Sequence, residues 1–176
     1  MQIYDLKLPH EIINELEEWK LVCDKIKNSP LKDLKEHDNL GTKTNSYQTS
    51  IPIHLIESSY WLPFTLRNCA KLFGGNHRNY FLRKWDGHFD GYDVWINYSY
   101  KGNYNPTHNH AGAISGVIYL QNDKDETIFV DNNYRYIGNR GNMILFPSDT
   151  KHKVDVQEKD YERITFAFNI NYKELS

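Results

Sequence analysis

The sequence predicts a mainly β protein in which two N-terminal helices precede a sandwich or barrel of short strands. Apolar residues recur at helical spacing in the first 75 residues. After Gly75 the period of the pattern falls to two, in short runs rich in aromatic and β-branched residues and bounded by Gly, Asn, Asp or Pro. No long helical pattern separates these runs, which argues against a parallel α/β sheet.

The predicted helices span residues 9–27 and 62–73. Pro9 suits the first turn of the first helix, and Gly74-Gly75 are typical of the end of the second. Residues 31–50 are polar and are predicted to form a loop. The predicted strands span residues 79–85, 93–100, 114–120, 127–130, 143–146, 152–156 and 163–170.

A length of 176 residues fits one domain. We expect a helical support region over residues 1–75 and a β core over residues 76–176. A net charge of −2 offers no bulk attraction for nucleic acid. No apolar run approaches the ~20 residues that cross a bilayer, so no membrane partner is expected. Cys23 and Cys69 are expected to be free thiols in a reducing compartment, and without a secretory h-region this predicts the cytoplasm.

Three histidines form the main chemical signal. His108 and His110 flank Asn109, and alternate residues of an extended chain point to the same side. His152 begins another predicted strand, just after the turn at residues 146–149. Imidazoles from two neighbouring strands would form a facial metal site with open positions, as non-haem Fe(II) chemistry requires. The alternative is that these are ordinary surface or core histidines.

The last predicted strand carries an arginine among alternating residues. Period two places Arg163, Thr165, Ala167 and Asn169 on one face and only apolar residues on the other. A guanidinium inside a barrel is costly unless it meets an anion, and it binds a carboxylate through two hydrogen bonds. The alternative is an exposed arginine that pairs with Glu162 or Asp160.

The back half of the chain resembles the 2-oxoglutarate- and Fe(II)-dependent oxygenases, in particular their prolyl-hydroxylase-like bacterial and phage branch. The resemblance covers roughly residues 93–171 and is carried by WIN (95–97), GNYNPTHNH (102–110), SGVIYL (115–120), GNMILFPSDTKHKV (141–154) and RITFAFN (163–169). It implies a double-stranded β-helix (a cupin-like jelly roll), with Fe(II), 2-oxoglutarate and O2 as cofactor and cosubstrates. The implied reaction hydroxylates an unidentified small molecule or peptide, with a peptidyl proline as one candidate, and releases succinate and CO2.

The resemblance also implies roles for individual residues. By position, His108 and His152 match the two iron-binding histidines, and His110 stands where the superfamily usually has Asp or Glu. Arg163 matches the arginine that holds the distal carboxylate of 2-oxoglutarate. The implied cosubstrate site further contains Tyr119, Tyr100 and Thr165, and the implied pocket contains Asn97, Ser115 and Asn169.

Three alternatives stay open. A literal His-x-Asp occurs at His88-Phe89-Asp90, but it lies in a turn upstream of the expected position. The spacing of Gly102 from the histidine pair also resembles the cupins, which favours a three-histidine metalloenzyme independent of 2-oxoglutarate. A catalytically silent β-barrel binding module is the third alternative.

Overall fold

The computed structural model describes residues 2–29, 46–74, 80–85 and 91–172. Its helices are α1 (His10–Lys27), α2 (Ile53–Ser58) and α3 (Trp61–Leu72). Its strands are β1 (Tyr4–Lys7), β2 (Tyr47–Ser50), β3 (Tyr80–Leu82), β4 (Lys84–Trp85), β5 (Gly91–Tyr92), β6 (Val94–Ser99), β7 (Asn105–His108), β8 (Ile114–Gln121), β9 (Glu126–Phe129), β10 (Tyr134–Ile137), β11 (Asn142–Pro147), β12 (His152–Val154) and β13 (Arg163–Tyr172). None of the helices in these ranges is both long and apolar enough to cross a membrane.

Two antiparallel sheets form the body of the protein. The large sheet has the strand order β1-β11-β8-β13-β6-β2, with β3 also paired to β13, and the small sheet has the order β10-β9-β12-β7. Buried aromatic side chains from both sheets meet between them, including Tyr119 on β8, Phe146 on β11 and Phe129 on β9. The predicted mainly β fold with N-terminal helices is confirmed.

The helices cover the outer face of the large sheet. The buried side chains of α1 recur at helical spacing and include Leu16, Trp19 and Cys23. The Trp19 ring meets Phe166 edge to face with centroids 6.3 Å apart, and Trp61 meets Phe168 in the same way at 6.0 Å. The apolar face predicted for the last strand is therefore the face that the helices bury.

Both predicted helices and the main predicted strands are confirmed, with small shifts at their ends. The strand predicted over residues 79–85 is divided in two, because Arg83 lies between β3 and β4 and belongs to neither. The backbone N–H of Arg83 donates to the Asn169 carbonyl, and the Arg83 carbonyl accepts from the Asp93 N–H. Residue 79 of that predicted strand lies outside the described residues.

The loop predicted over residues 31–50 is wrong at its end, where Tyr47–Ser50 forms β2 along an edge of the large sheet. Tyr47 and Thr49 are buried while their neighbours are half-buried, an alternation that only the pairing with β6 reveals. Residues 30–45 lie outside the described residues. At the opposite edge of the sheet β1 pairs with β11, so the N-terminal support region also contributes strands.

Four further elements were not predicted from the sequence: α2, β5, β7 and β10. In β7, pairing with β12 gives an extended conformation to a segment that contains Pro106. Cys23 is free and buried, as expected. The side chain of Cys69 lies outside what the structure describes.

The contact between Gly116 and Phe168 tests this packing. A Cβ atom added at Gly116 would lie 2.1 Å from Cζ of Phe168, its partner across the β8–β13 ladder. Gly116→Ala is expected to lower the free energy of unfolding by about 1–3 kcal/mol through overpacking. Urea denaturation measures this loss. Adding Phe168→Leu should make the double variant more stable than the sum of the two single losses predicts, and strict additivity would contradict the proposed clash.

Candidate metal centre

Three imidazoles converge between the two sheets. His108 ends β7 and lies directly opposite His152, which begins β12. Their ring centroids are 4.2 Å apart, and the His110 ring lies 4.9 Å from His108 and 5.2 Å from His152. One ligand atom from each residue can be chosen so that all three lie within 4.8 Å of one another. Two nitrogens bound to one ion at about 2.1 Å lie at most about 4.2 Å apart, so the 4.8 Å limit places the three ligand atoms near the spacing that one ion requires.

Hydrogen bonds orient two of these rings. Nδ1 of His108 lies 2.7 Å from the Pro106 carbonyl oxygen, and Nδ1 of His152 lies 3.0 Å from the Thr150 carbonyl oxygen. A carbonyl can only accept, so each Nδ1 carries the proton and donates. This tautomer leaves Nε2 of each ring with a lone pair for a metal, the arrangement found in many metal-binding histidines.

The environment keeps the imidazoles neutral. Burial is the largest cause, and it lowers the pKa of His110 to about 3 and that of His152 to about 4, with the neighbouring histidines adding to both shifts. Burial also lowers the pKa of His108, against the opposing effect of its hydrogen bond to Pro106. Only neutral imidazole binds a metal, so the three ligands are in the binding form at neutral pH.

Arg163 lies on the inner face of the large sheet and is buried, with 7% of its surface exposed. Its Nε donates to Oδ1 of Asn122 at 2.8 Å, and its guanidinium carbon lies 5.7 Å from the centroid of the Tyr119 ring. Glu162, the alternative partner considered from the sequence, instead pairs with Lys27 at 2.9 Å. Within the described ranges no carboxylate forms an ion pair with Arg163, so its buried charge is available to an external anion.

Aromatic contacts connect the arginine with the imidazoles. Tyr119 is fully buried, its hydroxyl shares a 2.6 Å hydrogen bond with Thr127, and its ring belongs to the same buried cluster as Phe146. Phe146 in turn contacts His152 edge to face at 4.9 Å. A continuous series of buried side chains thus runs between the sheets from Arg163 through Tyr119 and Phe146 to His152.

Asn97 of the predicted pocket and Thr165 of the predicted cosubstrate site lie along this inner face. Asn97 on β6 donates to the Thr165 hydroxyl at 3.2 Å and accepts from Nε2 of Gln48 at 2.6 Å. Next along β6, Trp95 places its ring 5.6 Å from that of His110. Trp95 pairs with Ala167, which lies four positions beyond Arg163 on β13. The pairing position of Trp95 is therefore about 13 Å along the strand from that of Arg163.

Ser115 and Asn169 are buried, and their side chains bond to each other rather than to the Arg163 region. The Ser115 hydroxyl donates to Oδ1 of Asn169 at 2.7 Å and lies 2.9 Å from the Ser148 hydroxyl. The backbone N–H of His110 donates to the carbonyl of the same Ser148 at 2.8 Å. These two residues thus lie beneath the segment that carries His110.

The structure places Tyr100 away from the site. Its hydroxyl bonds to Lys27 and donates to Glu162 at 2.7 Å, and its ring packs against the core beneath the helices. The reason is strand alternation, since Tyr100 continues the series of Ile96 and Tyr98, which faces the helices. We therefore leave Tyr100 out of the proposed cosubstrate site.

Sequence reasoning missed several residues of the inner face. Asn122 holds the Arg163 guanidinium, Trp95 packs beside His110, and Thr127 fixes the Tyr119 hydroxyl. Asn122 lies in a turn, and no local pattern marks it as an arginine partner. The alternative pair His88 and Asp90 lies outside the described residues.

Comparison with known proteins supports the fold at low sequence identity. No protein-family model and no curated protein matches the sequence. Among solved structures, a 2OG-Fe(II) oxygenase family oxidoreductase from Burkholderia pseudomallei aligns with a TM-score of 0.63 and 16% identity, over 98% of this chain and 88% of its own. The viral collagen prolyl hydroxylase of Paramecium Bursaria Chlorella virus-1, in its 2OG complex, aligns with a TM-score of 0.60 and 16% identity, over 97% and 96%.

A third similar structure belongs to a different reaction class. The non-heme alpha ketoglutarate dependent epimerase SnoN from nogalamycin biosynthesis aligns with a TM-score of 0.68 and 10% identity, over 98% of this chain and 79% of its own. These similarities show that the chain has the double-stranded β-helix fold of such oxygenases, which confirms the fold class predicted from the sequence.

The hydrogen bonds among Tyr100, Lys27 and Glu162 predict how the stability of the fold depends on pH. Burial would raise the pKa of Glu162, but its bonds to Tyr100 and Lys27 outweigh burial and leave that pKa below the usual 4.5. Burial likewise lowers the pKa of Lys27, but its hydrogen bonds to Tyr100 and Glu162 outweigh burial and leave that pKa above the usual 10.5. The carboxylate therefore stabilises the fold above pH 4.5 and loses this effect as the pH falls through its lowered pKa, whereas the ammonium loses its effect only above pH 10.5.

Glu162→Gln is therefore expected to lower the free energy of unfolding by about 1 kcal/mol at pH 7, a value discounted for partial exposure. Denaturation from pH 7 to pH 3 should show the gap from the wild type narrowing in acid. Glu158→Gln, at an exposed position, is the control and should change little. A gap that stays constant across this range would contradict the charge-based explanation.

Proposed function

We propose that this chain is a 2-oxoglutarate- and Fe(II)-dependent oxygenase in which His108, His110 and His152 bind the iron. The observation that carries the proposal is the convergence of three neutral imidazoles, together with a buried guanidinium on the inner sheet face that has no ion-pair partner among the described residues. A structural role for the histidines alone would not explain this buried positive charge.

The donor set fits a divalent first-row metal ion. Imidazole nitrogen suits iron, and ligands on two adjacent strands leave other coordination positions open. With Fe(II) and 2-oxoglutarate bound, the metal centre would supply oxygen activation coupled to decarboxylation of the keto acid. The protein holds His108 and His152 through their Nδ1 hydrogen bonds and packs Trp95 and Phe146 around the rings, which limits water at the site.

Arg163 is proposed to bind the distal carboxylate of 2-oxoglutarate. The Asn122 bond fixes the guanidinium at Nε, and its outer nitrogens can fork onto a carboxylate. Three neutral imidazoles also leave both charges of the metal ion uncancelled, because His110 replaces the carboxylate usual in this superfamily. The metal-binding carboxylate of 2-oxoglutarate would cancel one of these charges while its distal carboxylate meets the charge of Arg163, so the variant ligand set and the buried arginine favour the same dianionic partner.

The prime substrate is proposed to be a small molecule or a peptide, and the proposed reaction is hydroxylation in the cytoplasm. The viral structure with the same fold is named for collagen prolyl hydroxylation, which makes a peptidyl proline one candidate. The epimerase with the same fold shows that such scaffolds serve more than one outcome.

The ligand set can be tested without turnover. Purified wild-type protein is expected to bind one Fe(II) or Co(II) per chain under anaerobic conditions, as measured by calorimetry. His108→Ala, His110→Ala and His152→Ala should each weaken metal binding by tenfold or more. Loss of a hydrogen-bond partner of a ligand already costs about 10- to 100-fold in metal affinity, and loss of the ligand itself should cost at least as much. Asp90→Ala is the matched control for the alternative His-x-Asp pair, and a loss confined to Asp90→Ala would reassign the metal site.

The anion role of Arg163 can be tested separately from the metal. Arg163→Gln should weaken 2-oxoglutarate binding by about 100-fold, since it removes one partner of a buried charge pair, while Co(II) affinity stays unchanged. Arg135→Gln, an exposed arginine on the small sheet, should bind the keto acid normally. The readouts are titration of the Co(II) protein with 2-oxoglutarate and iron-dependent formation of succinate detected by NMR.

The two titrations together separate the proposal from its rivals. Metal binding without any affinity for 2-oxoglutarate would favour a cupin-like three-histidine metalloenzyme. Absence of metal binding would favour a binding module without catalysis. Either result would overturn the proposed oxygenase.

A further inference from the structure

A chain of buried polar side chains runs beneath the segment that carries His110. The Ser148 and Ser115 hydroxyls are 2.9 Å apart, Ser115 donates to Oδ1 of Asn169 at 2.7 Å, and Nδ2 of Asn169 donates to Oδ2 of Asp93 at 3.4 Å. Asp93 forms an ion pair with Arg83 at 2.8 Å. We call Ser148, Ser115, Asn169 and Asp93 the inner polar chain, and each is at most 3% exposed.

Such a chain has an energetic cost that packing does not explain. Buried hydroxyl, amide and carboxylate groups are costly unless fully bonded, and apolar residues of similar size would serve a core as well. Among the residues that the structure describes, Oδ1 of Asp93 even lacks a hydrogen-bond partner. The inner polar chain also takes no part in the arrangement around Arg163, Asn122 and Tyr119.

The inner polar chain is joined to His110 through the backbone. The His110 N–H donates to the Ser148 carbonyl at 2.8 Å, and the Ser148 N–H donates to the Ala113 carbonyl at 3.1 Å. Gly112, between them, has a φ of +122°, and a Cβ atom there would lie 3.1 Å from the Ile170 carbonyl oxygen and 3.3 Å from the Ser148 hydroxyl. The segment from His110 to Ala113 is thus held closely against Ser148.

The three imidazoles differ in how their backbones are held. His108 and His152 are register partners within the small sheet, so the strand ladder fixes both. His110 lies two residues beyond His108, past the end of β7. Its position therefore depends on Ser148, and the side chain of Ser148 depends on Ser115 and Asn169.

We propose that the inner polar chain positions His110 as the third metal ligand, with Asn169 and Ser115 as its positioning residues. The inference rests on the proposed metal centre and assigns these two residues to ligand orientation rather than to the substrate pocket. Because neither side chain touches the metal site directly, their effect is transmitted through Ser148 and the His110 backbone.

The test measures Co(II) affinity and the visible absorption of the Co(II) protein, without turnover. Asn169→Leu removes both side-chain bonds of Asn169 at nearly constant volume and should raise the Kd for Co(II) about 10- to 100-fold. It should also change the absorption bands that report ligand geometry. Thr49→Val is the control, because it removes a buried hydroxyl from β2, outside both the inner polar chain and the proposed cosubstrate site, and it should leave the Kd unchanged.

A double-mutant cycle distinguishes positioning from general destabilisation. In a His110→Ala background, Asn169→Leu should change the Kd by no more than about twofold, because the ligand through which it acts is absent. An equal loss in both backgrounds would overturn the inference. Should Asn169→Leu fail to fold, Ser115→Ala makes a smaller change, and its weaker loss of Co(II) affinity should vanish in the same background.

The outcomes also separate this inference from the proposed function. Wild-type protein that binds no Co(II) overturns the metal centre itself. Wild-type protein that binds Co(II), with Asn169→Leu and Ser115→Ala binding equally well, leaves the metal centre intact and overturns only the role of the inner polar chain.

Discussion

The arrangement of the whole protein depends on the two unlike faces of β13. This strand lies between β8 and β6 in the large sheet, and its side chains alternate between the helices and the space facing the small sheet. Phe166 and Phe168 meet tryptophans of α1 and α3, while Arg163, Thr165 and Asn169 face inward. Because the period of a strand is two, a register shift of one residue would turn the aromatic face toward the small sheet and the arginine toward the helices. The same alternation that builds the core therefore sets where the chemistry lies.

The interior of the protein contains titratable groups that burial keeps neutral and a guanidinium that stays charged. The imidazole of His152 is buried and those of His108 and His110 are half-buried, and this burial keeps all three neutral and able to bind a metal. The guanidinium cannot become neutral, so its burial is tolerable only with polar and aromatic support and an eventual anion. Lys27 and Glu162, on the helix side, neutralise each other instead. This contrast is why Arg163, and not the other cations of the fold, is assigned to the cosubstrate.

The fold alone does not decide the chemistry. Solved structures with the same double sheet include a prolyl hydroxylase and an epimerase, at 16% and 10% identity. The sequence resemblance implies that His110 stands where the superfamily usually has a carboxylate, and His110 lies on a segment outside the strand ladder. In the proposed metal centre a third neutral ligand would leave more positive charge on the ion and would need its own structural support, which connects the proposed ligand set with the inner polar chain beneath it.

The sequence by itself determined α1, α3, most strands and the grouping of three histidines, since each follows from local periodicity or spacing, whereas the inward position of Arg163 rested on the family resemblance. It did not determine the edge strands β1 and β2, the split at Arg83, or the partners Asn122, Trp95 and Ser148. It also placed Tyr100 with the cosubstrate and Ser115 and Asn169 in a pocket, whereas the structure turns Tyr100 to the helix face and bonds the other two beneath His110. Only the tertiary structure decided these points, because edge pairing and side-chain partners depend on residues far apart in the chain, and no local pattern records which of them will meet.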